Sequence, residues 1–324
     1  MENTKRIDYL DYTKGFGILL VILGHIYDAS NPIKIWLYSF HMPLFFIISG
    51  FFANKYIELK VLFKKKFKSL IIPYISFGII TMVLIMTTNG FVNELKEYVY
   101  YFITGVGRDA LWFLPSLFLI EIIFNIISKI KNNSYKMLII VGLFLSGLCG
   151  AHFINNMILT TLYRTFVGLG FYSIGNYTYN RFKNINVSYI ILLILFIVSS
   201  ILAIYNGCVD LWGLNFGNRF IYVFCSTINS FCIIILFEKM FNNKEIKSLR
   251  FLGINTLIIM STQQLIINYI NKFTGINYYN TLYGIVVFLV VILIEIPIIY
   301  LINNYLPFII GKFNRKEKVQ VITD

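Results

Sequence analysis

Charged residues are scarce in this chain, at only 13% of its 324 residues, and acidic side chains are scarcer than basic ones. Soluble domains are typically about 25% charged and about 45–50% apolar. Here 58% of the residues are hydrophobic and the mean hydropathy is +0.73. These values exclude an ordinary soluble enzyme, and most of the chain is expected to lie in lipid.

The chain also has few residues that could hold a metal ion. It has three histidines, and its four cysteines lack CxxC or His-linked spacing, so no metal site is expected. A phosphate-binding glycine loop, a GxSxG elbow and an HExxH motif are all absent from the sequence. The net charge of +13 falls in short clusters between apolar runs and not along one basic face, which argues against nucleic acid as a partner.

Ten apolar runs are long enough to cross a bilayer as helices. The loops on one side of these runs hold 22 of the 28 basic residues, so the positive-inside rule makes that side, with both termini, cytoplasmic. The sequence predicts an all-α integral membrane fold of about ten transmembrane helices, with a membrane domain at 1–311 and a basic cytoplasmic tail at 312–324. The runs occupy roughly residues 10–27, 37–54, 70–88, 111–128, 137–151, 157–176, 188–205, 219–238, 254–271 and 282–306.

The first run carries a stripe of ionisable residues. Eleven residues separate Lys14 from His25, so both side chains lie on one helix face, about 16 Å apart along its axis. Asp11 precedes Lys14 by three residues, and Asp28 follows His25 by three. Such groups inside a spanning segment are costly and are interpreted as functional by default. His25 could take a proton from a hydroxyl, with Asp28 fixing its tautomer, or it could simply pack between helices.

Other polar residues lie deep within later runs. His41 opens the second run, where it could contact a polar substrate or bond the helix backbone, and we favour the structural role. Arg164 lies within the sixth run and could pair with Glu121 or Glu295 from other runs. These three residues could line a substrate passage or hold helices together.

The densest basic cluster, Lys64–Lys68, stands directly before the third run. It could clamp phosphate groups or meet anionic lipid headgroups, and position alone favours the lipid. His152 lies in a short predicted loop and is expected to be solvated. Gln263 and Gln264 in the ninth run could form hydrogen bonds between helices.

Four segments of the chain share a family likeness. In RIDYLDYTKGFGILLVILGH, from Arg6 to His25, a basic residue precedes a histidine by eleven positions. The others are SFHMPLFFIISGFF from Ser39, LWFLPSLFLIE from Leu111 and EIPIIYLINNYLPFIIG from Glu295. Together they resemble the acyltransferase 3 family of membrane O-acyltransferases, in particular its fucose 4-O-acetylase and capsular-polysaccharide acetyltransferase branch.

The resemblance implies a membrane O-acetyltransferase that uses acetyl-CoA from the cytoplasmic side as co-substrate and holds no permanent cofactor. His25 would be the catalytic residue, as general base or as acyl carrier, with Lys14 as its basic partner. Lys14, Lys65 and Lys68 would contact the CoA. The family often has a histidine in the ninth helix, where this chain has Gln263.

The acceptor implied by the resemblance is a sugar hydroxyl of a cell-surface polysaccharide or of its lipid-linked precursor. The protein would then be a multi-pass protein of a bacterial plasma membrane, in contact with membrane lipid. The alternative function is a polysaccharide exporter or small-molecule transporter. Transporters usually show repeated halves with helices broken at matched positions, and the sequence shows neither, which favours the enzyme.

Overall fold

The computed structural model describes residues 8–53, 57–88, 93–107, 109–150, 156–182, 187–241, 245–276 and 281–313. In these residues the fold is all-helical, and the strand-like pairing consists of an isolated bridge between Asp210 and Asn215. His152 and residues 314–324 of the predicted tail lie outside the described residues.

The described part of the chain forms α-helices joined by short connections. They are α1 (Asp8–Ile26), α2 (Pro32–Tyr38), α3 (His41–Phe51), α4 (Leu59–Lys66), α5 (Ile72–Thr88), α6 (Asn93–Ile103), α7 (Phe113–Ser128), α8 (Asn133–Gly150), α9 (Met157–Phe182), α10 (Tyr189–Tyr205), α11 (Arg219–Phe241), α12 (Lys247–Ile254), α13 (Thr256–Thr274) and α14 (Thr281–Tyr305). A π-helical turn at Phe67–Ile71 joins α4 to α5, and 3₁₀ turns lie at Asp109–Trp112 and Pro307–Ile310.

Each of the ten predicted apolar runs coincides with a helix or, for the second run, with the pair α2 and α3. Six helical stretches of the described chain are long and apolar enough to cross a membrane: Pro32–Phe51, Leu59–Leu84, Asp109–Ser128, Asn133–Gly150, Arg219–Phe241 and Leu282–Tyr305. Helices α12 and α13 meet at 81° and add a seventh if they form one span, while α10 is a shorter apolar helix. The all-helical membrane fold is therefore confirmed, whereas ten crossings and the orientation of the termini stay predictions.

The outer helices of the bundle expose apolar side chains. Ile190 and Ile201 of α10, and Leu282 and Leu293 of α14, are all largely exposed. A surface of this kind is compatible with lipid and not with water. By contrast, α1 lies at the centre of the bundle, packed against α11, α12, α13 and α14.

Glycines allow two pairs of helices to approach to backbone contact. A Cβ added at Gly15 of α1 would collide with the carbonyl oxygen of Leu249 in α12, and one at Gly253 of α12 would collide with that of Asp11. Gly50 makes the same kind of approach between α3 and α9. Because glycine has no Cβ, these contacts fix how α1 sits on α12.

Candidate functional site

His25 lies one residue before the end of α1, and its ring contacts α13. The side-chain amide nitrogen of Gln263 is 2.8 Å from Nδ1 of His25. Gln263 is fully buried, whereas His25 is partly exposed. Among the described residues, no side chain bonds Nε2 of His25. One ring nitrogen is therefore held by a neutral partner, and the other has no side-chain partner in that part of the chain.

Two rings from the start of the next span stand beside His25. Tyr38 meets it edge-on at 6.0 Å between ring centroids, and His41 lies 4.8 Å beyond Tyr38. Nδ1 of the buried His41 donates to the carbonyl oxygen of Leu37 at 2.8 Å, so it makes the backbone bond that its structural role requires. The ammonium group of Lys34 lies 4.9 Å from the centre of the Tyr38 ring.

The carboxylate of Asp28 bonds the turn that follows it and not His25. Its Oδ1 accepts hydrogen bonds from the backbone and hydroxyl of Ser30 at 2.8 and 2.6 Å, and from the backbone of Asn31 at 3.1 Å. These bonds hold the turn into α2 and keep the pKa of Asp28 below its usual range. The interpretation of Asp28 as the residue that orients His25 is corrected: Gln263 makes that contact.

The other end of α1 is charged and paired. Nζ of Lys14 lies 2.6 Å from Oδ1 of Asp11, which is buried, while the lysine side chain stays a quarter exposed. Arg250 of α12 adds contacts of 3.6 Å with Asp8 and with Glu245. Lys14 and His25 thus occupy opposite ends of α1, as the eleven-residue spacing predicts.

The basic cluster splits into lysines with different surroundings. Lys66 forms an ion pair with Glu121, with Nζ at 2.6 Å from Oε2 and 2.7 Å from Oε1. Lys65 is exposed, and Nζ of Lys68 lies 5.0 Å from the centre of the Phe313 ring. The turn that carries Lys68 packs on α4, α5, α7 and Pro307–Ile310. In contrast, α1, which carries Lys14, packs mainly against α11, α12 and α13. A joint CoA site of Lys14, Lys65 and Lys68 stays a prediction.

Arg164 pairs with neither glutamate, which corrects the predicted pairing. Glu121 is taken by Lys66, and both carboxylate oxygens of the buried Glu295 contact the hydroxyl of Thr262 at 2.8 and 2.9 Å. Helix depth alone could not distinguish these partners, because it does not say which way a side chain faces around its helix.

The buried guanidinium of Arg164 contacts the connection between α6 and α7. Its Nη1 donates to the carbonyl oxygen of Val106 at 3.0 Å, and its central carbon stands 4.8 Å from the centre of the Trp112 ring. Its Nε and Nη2 have no hydrogen-bond partner in the described part of the chain. This geometry gives Arg164 no contact with His25.

The connection between α10 and α11 covers this region. The indole Nε1–H of Trp212 donates to the carbonyl oxygen of Gly107 at 3.0 Å, and the Asp210 carboxylate accepts from the backbone of Trp212 and of Gly213 at 2.9 and 3.2 Å. Burial raises the pKa of Asp210. Its charge is near enough to interact with those of Arg164 and Lys34. An aromatic ring, a carboxylate and cations therefore lie on the side of the molecule that bears Lys34 and Tyr38.

Gln263 is the residue whose importance the sequence understated. The sequence marked it only as a possible hydrogen-bonding group between helices, at a position where the family resemblance leads one to expect histidine. That position was the available signal, since an amide in an apolar helix needs a partner. Its distance of 238 residues from His25 hid which partner it has.

A family model described as an acyltransferase domain matches residues 7–303, which is most of the chain. Comparison with curated proteins and with solved structures gives no significant match. The finer branch of fucose and capsular acetyltransferases stays a prediction.

Proposed function

We propose that this chain, which belongs to the acyltransferase 3 family, transfers an acetyl group from acetyl-CoA to a sugar hydroxyl of a cell-surface polysaccharide or its lipid-linked precursor. The family match and the apolar helices make it a multi-pass membrane acyltransferase. The donor, the acceptor and the O-acetyl specificity are our proposal.

The observation that carries the proposal is the ring of His25, with Nδ1 in contact with Gln263 and with no side chain bonded to Nε2 in the described part of the chain. In the proposed reaction Nε2 takes the proton of the acceptor hydroxyl while the hydroxyl oxygen bonds to the thioester carbonyl carbon. The tetrahedral intermediate then collapses and the carbon–sulfur bond breaks. The proton passes from Nε2 to the departing CoA thiolate, which leaves His25 neutral and ready for another cycle.

The two ends of α1 suit the two substrates. We propose that the end with Lys14, together with Lys65 and Lys68, receives the CoA phosphates from the cytoplasm. The end with His25 and Tyr38 receives the sugar, near Trp212 and Asp210, since aromatic rings and carboxylates bind the faces and hydroxyls of sugars.

Orientation is tested by cysteine labelling on a background without the native cysteines. Lys247 and Lys272 make a matched pair, because they begin α12 and end α13. We expect a cysteine at Lys272 to react with an impermeant thiol reagent from outside, and cysteines at Lys247 and Lys65 to react only after the cells are opened. External labelling at Lys65 would overturn the cytoplasmic CoA site.

The central test is His25→Ala in a deletion strain complemented with the variant. General-base catalysis contributes about 10²–10⁴-fold, so we expect O-acetyl groups on the surface glycan to fall below detection by mass spectrometry. His152→Ala is the matched control, since the sequence places it in a loop, and it should acetylate normally. Full acetylation by His25→Ala at normal membrane abundance would remove His25 from the reaction and end this proposal.

A further inference from the structure

We propose that the side-chain amide of Gln263 is a positioning element that decides which nitrogen of His25 can accept a proton. This inference rests on the proposed function, in which Nε2 is the base. It assigns to Gln263 a role in the reaction that a mere contact between helices would not have.

The end of the Gln263 amide that faces Nδ1 decides which tautomer His25 adopts, and the orientation with the nitrogen facing Nδ1 favours the tautomer in which Nε2 is not the base. An amide nitrogen carries hydrogens and no available lone pair, so the Nε2 group of Gln263 donates to Nδ1 of His25 at 2.8 Å. Nδ1 must then hold the lone pair, and the single proton of the neutral ring stands on Nε2. The Oε1 atom of Gln263 is meanwhile buried without a partner in the described residues.

A half-turn of the amide about its last side-chain bond reverses these roles. The two ends of a primary amide are nearly the same size, so the turn needs little extra space. Oε1 would then face Nδ1, and because a carbonyl oxygen only accepts, the ring proton must stand on Nδ1. The proton reaches Nδ1 by exchange with water, the ring stays neutral, and Nε2 gains the lone pair that attacks the hydroxyl proton. In the same step Oε1 gains a hydrogen bond from Nδ1, and the amide nitrogen gives up the one it made to Nδ1.

The surroundings hold Gln263 against α1, and the hydrogen bond that its amide makes within the described residues is the one with His25. The preceding residue, Thr262, is bonded to Glu295 of α14 and to the carbonyl oxygen of Ile258 in its own helix. At the start of α13, Asn255 accepts a hydrogen bond of 2.7 Å from Asn303. These bonds fix the rotation of α13, whereas the amide of Gln263 has His25 as its hydrogen-bond partner.

A neutral amide differs from an ionisable side chain at this position. The amide of Gln263 does not take up a proton. It can therefore influence the tautomer of His25 only by presenting either its nitrogen or its oxygen to Nδ1. A leucine of similar size would present neither end, and a glutamate would keep an acceptor oxygen facing Nδ1.

The first test reads the ring nitrogens directly. In protein labelled with ¹⁵N-histidine and purified in detergent, we expect Gln263→Leu and Gln263→Glu to change the Nδ1 and Nε2 shifts of His25 in different directions, Gln263→Glu towards protonated Nδ1. Gln264→Leu is the matched control, because its amide contacts Asn268 of its own helix. Unchanged shifts in both Gln263 variants would overturn the proposal.

The second test measures turnover with acetyl-CoA and surface glycan taken from the His25→Ala strain. We expect Gln263→Leu to lower kcat by about 100-fold with KM values within about twofold, and Gln263→Glu to restore most of kcat with an altered pH profile. Full kcat and an unchanged pH profile in Gln263→Leu would reduce Gln263 to a structural contact. If every variant, and the wild type, fails to transfer acetyl groups while the nitrogen shifts still respond, the proposed function fails and the control of the tautomer stands.

Discussion

The polar side chains at the two ends of α1 have different kinds of partner within the apolar bundle. At one end, Lys14 is matched by the carboxylate of Asp11, in the same way as Lys66 of α4 is matched by that of Glu121 in α7. At the other end, His25 is matched by the amide of Gln263. The first end therefore holds an ion pair, and the second holds a hydrogen bond between an imidazole and a neutral amide.

The difference teaches what each end can do. An ion pair removed from water is strongly held, because loss of either partner leaves an uncompensated charge. A neutral hydrogen bond contributes only about 0.5–1.5 kcal/mol and can be remade in another arrangement. The charged end is therefore suited to holding structure and anionic ligands, and the neutral end to moving a proton.

The largest expected effect on stability comes from breaking one charge pair. Glu121→Ala leaves Lys66 half-buried without its carboxylate and should destabilise the fold by about 3 kcal/mol, seen as a lower melting temperature in neutral detergent. Gln263→Leu, at the neutral end, should cost about 1 kcal/mol. The double variant Glu121→Leu with Lys66→Met should recover most of the loss. A double variant as unstable as Glu121→Ala would show that packing, and not charge, sets the difference between the ends.

A middle-sized effect is expected on donor binding. Lys65→Gln with Lys68→Gln should weaken acetyl-CoA binding about tenfold, which corresponds to about 1.4 kcal/mol, and should spare the acceptor KM. Lys129→Gln with Lys131→Gln removes the same charge from two exposed lysines after α7 and should leave the affinity unchanged. Calorimetry on purified protein measures both. Equal acetyl-CoA affinity in the wild type and in both double variants would indicate that Lys65 and Lys68 contact lipid headgroups and not CoA.

The smallest expected effect is the pH response of Asp210, a carboxylate in the connection between α10 and α11 that burial keeps from ionising easily. Its pKa is raised in the folded protein, so the fold favours the protonated form. The stability that this group contributes is complete below its unfolded pKa of about 3.9 and is lost as pH rises through the raised value. Wild type should therefore lose melting temperature relative to Asp210→Asn as pH rises from 4 to 7. A difference that stays constant with pH would remove Asp210 from this account.

The parts of the fold that depend on local pattern were predictable. Helices follow from unbroken apolar runs, and the Lys14–Asp11 contact follows from three-residue spacing on a helix. The turn at Asp28 was also within reach, because Ser30 and Asn31 follow at the distances at which an aspartate caps its own turn. The parts that depend on the rotation of one helix against another were not predictable, as the partners of Arg164 and Glu121 show.

The glycine contact between α1 and α12 has a consequence for the chemistry ten residues away. Gly15 and Gly253 let the two backbones touch, and His25 stands about 15 Å further along α1. A slip of α1 by one residue would move His25 by about 1.5 Å, which exceeds the tolerance of its 2.8 Å bond to Gln263. A methyl group added at Gly253 would thus affect the proposed reaction at long range, by misaligning His25 without touching it. The position of the His25 ring therefore depends on the absence of a side chain at Gly15 of α1 and at Gly253 of α12.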